Sequence, residues 1–202
     1  MGEEIKYTDT PLLERRILEL ESQNSKLSEE NEFLKSYNES LTSRLEREIR
    51  NNHIDTLTGL YNRCFLESQK ERLNILSFGG ILYGVVFLDI NGLKEINDTK
   101  GHKEGDILIK KIAQCLEETV SSRDFIIRLG GDEFLVIVND FPPRSNEVEK
   151  DVVIDRIKEG MESRNLDISL GFAISSEGDS IDTIIDLADL RMYEDKRKIK
   201  KR

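Results

Sequence analysis

Arg128-Leu129-Gly130-Gly131-Asp132-Glu133-Phe134-Leu135-Val136-Ile137-Val138-Asn139-Asp140 is the stretch on which the reading of this chain turns. It sets two adjacent carboxylates at a glycine turn between two apolar runs. Phe125 to Ile127 read as the end of one strand and Phe134 to Val138 as the next, with Gly130-Gly131 supplying a positive-φ turn at no steric cost. Asp132 and Glu133 then project from a hairpin tip. Such a turn alone is more often structural than functional. A second acidic strand end, Phe87-Leu88-Asp89-Ile90-Asn91, closes the apolar run Ile81 to Leu88. Two buried strands that each end in a carboxylate form a candidate hard-cation site of oxygen ligands.

A chain of 202 residues with 37% hydrophobic content holds one domain and a modest extension. Its net charge of −10 argues against coating nucleic acid, because no global field attracts phosphates. Lys196 to Arg202 is the one dense basic run, readable equally as a favourable last helical turn or as ligand contact. Cys64 and Cys115 lack a second thiol or histidine at metal spacing and read as buried free thiols. No stretch approaches a membrane span, and Met1 to Thr10 lacks the apolar core of a signal peptide, so a cytoplasmic location is expected.

Residues 12 to 50 carry a seven-residue repeat. Leu13, Leu20, Leu27, Leu34 and Leu41 share one position, and Ile17, Asn24, Asn31, Asn38 and Leu45 share the position four residues later. This is a d/a seam, and three Asn at a trade stability for register in a parallel two-stranded coiled coil. A helix packed on its own domain would need a broader apolar stripe. Asn51-Asn52-His53 breaks the pattern. The expected organisation is therefore 1–52 as a dimeric coiled-coil helix and 53–202 as a globular domain.

That domain alternates helical and strand patterns. Helix is expected after Leu60 through about Leu76, strand from Ile81 to Asp89, helix from Gly105 to about Thr119, and then the hairpin. Ser145 to Glu162 reads as helix, Asp167 to Ser175 as strand, and Ile181 to Lys198 as an amphipathic helix. A hairpin in a mixed sheet flanked by helices is α+β. Neither a Walker-type phosphate loop nor a dinucleotide fingerprint is present.

Several segments in order resemble one family. They are Asp55-Thr56-Leu57-Thr58-Gly59-Leu60-Tyr61-Asn62-Arg63, Asp89-Ile90-Asn91-Gly92-Leu93-Lys94-Glu95-Ile96-Asn97-Asp98, Gly101-His102 with Gly105-Asp106, Gly130-Gly131-Asp132-Glu133-Phe134, and Ala188-Asp189 with Met192-Tyr193 and Lys196. The series is similar to the GGDEF domain of diguanylate cyclases over roughly residues 54 to 200, and the joint match is specific where any single element is weak. The resemblance implies a palm-like fold. It also implies the condensation of two GTP into cyclic di-GMP with release of pyrophosphate.

Carried over residue by residue, the resemblance makes Asp89 and Asp132 metal carboxylates, with the carbonyl of Ile90 and nearby Glu133 completing the set. Two Mg²⁺ per active site are implied, with Mn²⁺ as the alternative, and two divalent ions can serve nucleophile, phosphate and leaving group together. Asp132 is the group expected to help remove the 3′-hydroxyl proton. Lys94 can meet the phosphates as a point charge, or be a surface lysine at a helix start. Asn97 and Asp106 read guanine, since a carboxylate accepts from N1–H and the exocyclic amino group. His102 lies beside the substrate in the family pattern. Lys196 and Lys200 match the pair near the β and γ phosphates, Lys200 standing where Arg is usual.

Departures are few. Asn91 stands where Asp is common, Gly92-Leu93 replace a bulkier pair, and Leu129 replaces an aromatic. The product-inhibition motif Arg-x-x-Asp reads Ser121-Ser122-Arg123-Asp124 and is degenerate, with Asp124 kept, Ser121 in the Arg position, and Arg123 turned away by strand phase. The partners expected are GTP, cyclic di-GMP as product and a second copy of the chain. Two rival readings are a GGDEF-like module that binds GTP or cyclic di-GMP without turnover and signals through the coil, and an oligomerising scaffold, which leaves the motif series unexplained.

Overall fold

The computed structural model describes residues 10–141 and 147–199. The chain groups into two units, Met1–Asn51 and Asn52–Arg202. The first holds one helix, α1 (Thr10–Asn52), of 43 residues. Leu13, Ile17, Leu20, Leu27, Leu34, Leu41 and Leu45 are all exposed along it. Such a stripe at heptad spacing is what a partner helix would cover.

The second unit runs β1 (Tyr61–Asn62), α2 (Arg63–Phe78), β2 (Leu82–Ile90), α3 (Leu93–Lys100), α4 (His102–Thr119), β3 (Phe125–Gly130), β4 (Glu133–Phe141), α5 (Glu147–Glu162), β5 (Ile168–Ile174) and α6 (Ile181–Ile199). Asn62 caps α2, its side-chain oxygen accepting from the Phe65 amide at 3.1 Å, which satisfies one of the orphan donors of the first turn. The five strands form one sheet in the order β1-β3-β4-β2-β5. Only β1 with β3 is parallel; the β3–β4, β4–β2 and β2–β5 pairs are antiparallel. The sheet is thus mixed and flanked by helices, the α+β arrangement expected from the sequence.

Period-two alternation assigns the two faces. Val86, Leu88 and Ile90 of β2 and Phe134, Val136 and Val138 of β4 pack with Ile109, Ile112 and Leu116 of α4 and Ile157 and Met161 of α5. The intervening residues Val85, Phe87, Leu135 and Ile137 pack with Leu66 and Leu73 of α2 and Ile184, Ala188 and Met192 of α6. Since β2 is buried on both sides, it reads as a continuous apolar run. The α6 backbone lies directly on β5 at Gly171, where a Cβ would stand 2.1 Å from the Ala188 carbonyl oxygen and 2.2 Å from the Met192 nitrogen. Any side chain there would push α6 off the sheet.

The structure differs from the sequence expectations in six places. The two-residue β1 and the eight-residue α3 were not expected. Both are too short to show a period. Helix α4 begins at His102 rather than Gly105. Glu133 is the first residue of β4 rather than part of the hairpin tip, whose loop is Gly131-Asp132. Arg123 lies in the turn before β3, not in strand phase, with Asn139 Nδ2 donating to its carbonyl at 2.7 Å. Cys115 is buried as expected but Cys64 is exposed, on the outer side of the first turn of α2. Of the expected helix from Ser145, residues 145 and 146 lie outside the described residues. Among the described residues no helix is long and apolar enough to cross a membrane.

Candidate active site

The acidic cluster forms at one end of the sheet. Asp89 pairs across the ladder with Glu133 of β4 and with Ser169 of β5. The odd-numbered phase that turns Val85 and Phe87 toward α6 turns Asp89 the same way. Its Oδ1 accepts from Lys196 Nζ at 2.6 Å, both side chains being largely buried. Asp132 lies in the adjoining turn, where Gly130 and Gly131 hold φ of 142° and 53°. Its carbonyl accepts the Ile90 amide at 3.1 Å, tying the turn to the end of β2. Burial pushes the Glu133 carboxyl above its usual range; Asp132, Asp89 and Asp189 add to that shift and Arg63 opposes it.

A cavity of about 590 Å³ opens beside this cluster, lined in part by Ile90, Gly92, Lys94, Asp132 and Lys196. That is within the range of small-molecule sites. Lys94 is the second residue of α3 and exposed, so its amine is free to reach a ligand there. Asn91, at the mouth, is held structurally: its Nδ2 donates to Asp167 Oδ1 at 2.9 Å, and Ser169 Oγ donates to its Oδ1 at 3.0 Å. An amide suits this position because it both donates and accepts.

Asn97, His102 and Asp106 stand apart from that lining, on α3 and α4. Gly105 brings the two helices together. A Cβ on it would lie 2.0 Å from Asn97 Oδ1 and 3.0 Å from Asn97 Cγ. Asn97 is therefore seated on bare backbone next to Asp106. His102 and Asp106 are exposed at the start of α4. Lys200 lies outside the described residues.

Three residues escaped the sequence reading. Arg128, quoted above but given no role, holds Asp55 through Nη1 at 3.1 and 3.2 Å and the Gly131 carbonyl through Nη2 at 2.9 Å. Asp189 and Arg63 act on Glu133. Each sits in a motif that the sequence displays, yet only the fold makes them neighbours of the turn.

The donor set suits a hard divalent ion. Asp89, Asp132, Glu133 and the Ile90 carbonyl offer oxygen only. Among the described residues no three His, Cys, Asp or Glu side chains are grouped to enclose an ion by themselves. Mg²⁺ does not need such a cage, because one or two carboxylates plus substrate phosphates commonly hold it.

At the degenerate Ser121-Ser122-Arg123-Asp124 segment, Asp124 Oδ1 accepts the Asn139 amide at 3.0 Å. Burial pushes that carboxyl up, against this hydrogen bond. Ser121, Ser122 and Asp124 line a separate cavity of about 510 Å³ together with Leu60, Tyr61 and Ile126.

The family model for the diguanylate cyclase GGDEF domain covers residues 52–202. The chain belongs to the GGDEF family. The probable diguanylate cyclase DgcJ of Escherichia coli strain K12 is 34% identical over 149 residues, 73% of this chain and 30% of DgcJ. The response regulator PleD of Caulobacter vibrioides is 31% identical over 175 residues, 80% of this chain and 38% of PleD. The chain thus spans about a third of the length of these curated relatives. Among solved structures, the coiled coil and GGDEF domain of DgcB from Caulobacter crescentus in complex with c-di-GMP superposes with a TM-score of 0.70 at 26% identity, covering 88% of this chain and 95% of that one.

Proposed function

We propose that this GGDEF chain is a diguanylate cyclase that makes cyclic di-GMP and pyrophosphate from two GTP, working as a dimer through α1. The observation that carries the reading is the convergence of Asp89, Glu133 and Asp132 on one sheet end beside a cavity that Lys94 and Lys196 also line. Two Mg²⁺ ions held by Asp89, Asp132, Glu133 and the Ile90 carbonyl would neutralise phosphate charge and lower the barrier to ionising the attacking hydroxyl.

The chain's own residues do the rest. Lys94 and Lys196, with Lys200, bind the triphosphate as point charges. Asp106 accepts from guanine N1–H and the amino group, Asn97 donates to its edge, and His102 borders the nucleotide. Asp132 receives the 3′-hydroxyl proton. The 3′-oxygen of one GTP then bonds to the α-phosphorus of the other while the bond from that phosphorus to the β-phosphate oxygen breaks, and pyrophosphate leaves. The same exchange in the opposite sense closes the ring. Because the product is two-fold, two domains each holding one GTP must face one another, which a parallel α1 pair would favour. With Ser121 in the Arg position, only Asp124 remains for product feedback, which is weak.

The test is incubation of the protein with GTP and Mg²⁺. Pyrophosphate release supports the reading. GTP that binds and is not consumed favours the binding module instead.

A further inference from the structure

Helix α6 presents Lys196 to Asp89 by construction. Gly171 admits the α6 backbone against β5, Arg191 Nη1 donates to the Phe172 carbonyl at 2.5 Å, and Asp195 Oδ2 accepts the Leu170 amide at 3.2 Å. These three contacts to successive β5 residues fix the end of the helix. The next residue along, Lys196, reaches Asp89 Oδ1 at 2.6 Å with 27% of its side chain exposed. Lys198, in the same final turn, is exposed and has no such anchoring among the described residues.

Asp89 is the most enclosed carboxylate of the cluster, and a buried carboxylate without a partner is costly. A cation that takes Oδ1 must share or displace an ammonium already within contact distance. Lys196 also lines the cavity expected to hold phosphates, so a triphosphate offers that ammonium a second anionic site nearby.

We infer that Lys196 is a resident counter-ion of Asp89 whose transfer to the nucleotide triphosphate couples metal binding to nucleotide binding. The inference rests on the proposed GTP and metal site and adds a coupling to it. In the free protein Lys196 occupies the charge of Asp89 and weakens cation binding. When the triphosphate takes up the ammonium, Asp89 is released to the cation. By linkage, the cation strengthens nucleotide binding by the same factor. Lys196 is a positioning residue for the carboxylate before it is a phosphate ligand.

The test is Mn²⁺ binding to the full chain, followed by electron paramagnetic resonance, without nucleotide and with a GTP analogue carrying a methylene between the α and β phosphorus atoms. Lys196→Gln should bind Mn²⁺ alone about tenfold more tightly than wild type, a size typical of coupling between sites. It should also show a smaller gain in Mn²⁺ affinity on adding the analogue. Lys196→Arg, which keeps the charge, should bind Mn²⁺ alone as weakly as wild type, and Lys198→Gln controls for the loss of one positive charge elsewhere on α6. Mn²⁺ affinity that is unchanged or weaker in Lys196→Gln overturns the inference, as does equal tightening in Lys198→Gln. Pyrophosphate release from GTP is scored separately. Turnover with no Mn²⁺ tightening refutes the coupling alone, and tightening with no turnover refutes the cyclase reading alone.

Discussion

Arg128 holds Asp55 with Nη1 at 3.1 and 3.2 Å from its two carboxylate oxygens. The other guanidinium nitrogen donates to the carbonyl of Gly131, inside the signature turn, at 2.9 Å. One side chain thus links the Asp55–Arg63 motif to the loop carrying Asp132. Asp55 is prepared for this, since Thr58 donates to its Oδ1 from both hydroxyl and amide, at 2.6 and 2.9 Å. Burial raises the Asp55 carboxyl, but the hydrogen bonds from Thr58 and Arg128 outweigh it and hold the group below its usual range.

Replacing Arg128 with Ala should therefore destabilise the domain by about 2 kcal/mol, between the values typical of exposed and fully buried pairs. Because Asp55 ionises more readily when folded, the wild-type contribution is present at neutral pH and is lost only as pH falls below the usual Asp range. Urea denaturation at neutral pH and near pH 3 checks this: the gap between wild type and Arg128→Ala should narrow in acid.

Asp89→Asn and Asp132→Asn should each lower turnover of GTP by at least about a hundredfold, roughly 2.7 kcal/mol in transition-state stabilisation. Circular dichroism establishes that the variants are folded. Near-normal turnover in a folded Asp132→Asn protein contradicts the assignment.

Gly105→Ala separates nucleotide binding from folding. The added methyl meets Asn97 Oδ1 at 2.0 Å, and Asn97 can yield by swinging its side chain. Ala is also the better helix former by about 1 kcal/mol. Stability should hold or rise, while KM for GTP climbs about tenfold because Asn97 has left its seat. Steady-state kinetics and thermal melts on one preparation decide it. An unchanged KM removes Asn97 from base recognition.

Glu133→Gln should stabilise the protein in the absence of metal. Burial and three neighbouring carboxylates raise the Glu133 carboxyl, so stability falls as pH climbs from the usual Glu value through the raised folded one. The amide escapes that penalty. With solvent screening limiting the gain, the melting temperature at pH 7 should rise by no more than about 3 °C, and the advantage should vanish near pH 4. A variant that melts lower than wild type at pH 7 contradicts this electrostatic account.

The oligomeric role of α1 is tested by a chain beginning at His53. If the heptad seam delivers two domains to one end of a parallel pair, tethering gives an effective concentration on the order of millimolar. The full chain should be dimeric by light scattering at micromolar concentration, with specific activity independent of dilution. The chain from His53 should be mostly monomeric and lose specific activity on dilution, and Leu27→Glu with Leu34→Glu should reproduce that loss. A truncated domain equally active per mole when dilute removes the role of the coil.

Much of this site was legible from residue order. The alternation Val85-Val86-Phe87-Leu88 already places Asp89 in the phase of Val85 and Phe87, and Leu135 and Ile137 place Glu133 likewise. What residue order could not convey is which strand neighbours which. The β2–β4 register makes Glu133, not Asp132, the cross-strand partner of Asp89. Arg128 was passed over because its partner lies 73 residues earlier in the chain, and a lone arginine at a strand end carries no periodic signal. Helix α3 was missed because eight residues span barely two turns. Lys196 was recognised by its motif position. Its contact with Asp89 depends on how closely Gly171 lets α6 approach the sheet, which no local pattern reveals.

The most direct measurement supplies GTP and Mg²⁺ to the full chain and quantifies pyrophosphate and nucleotide product together, the product identified by mass spectrometry. Two pyrophosphates per cyclic di-GMP, with both products falling at least about a hundredfold in Asp132→Asn, is the expected result. GTP that stays intact in the presence of folded, dimeric protein, or pyrophosphate released without a cyclic dinucleotide, would contradict the account.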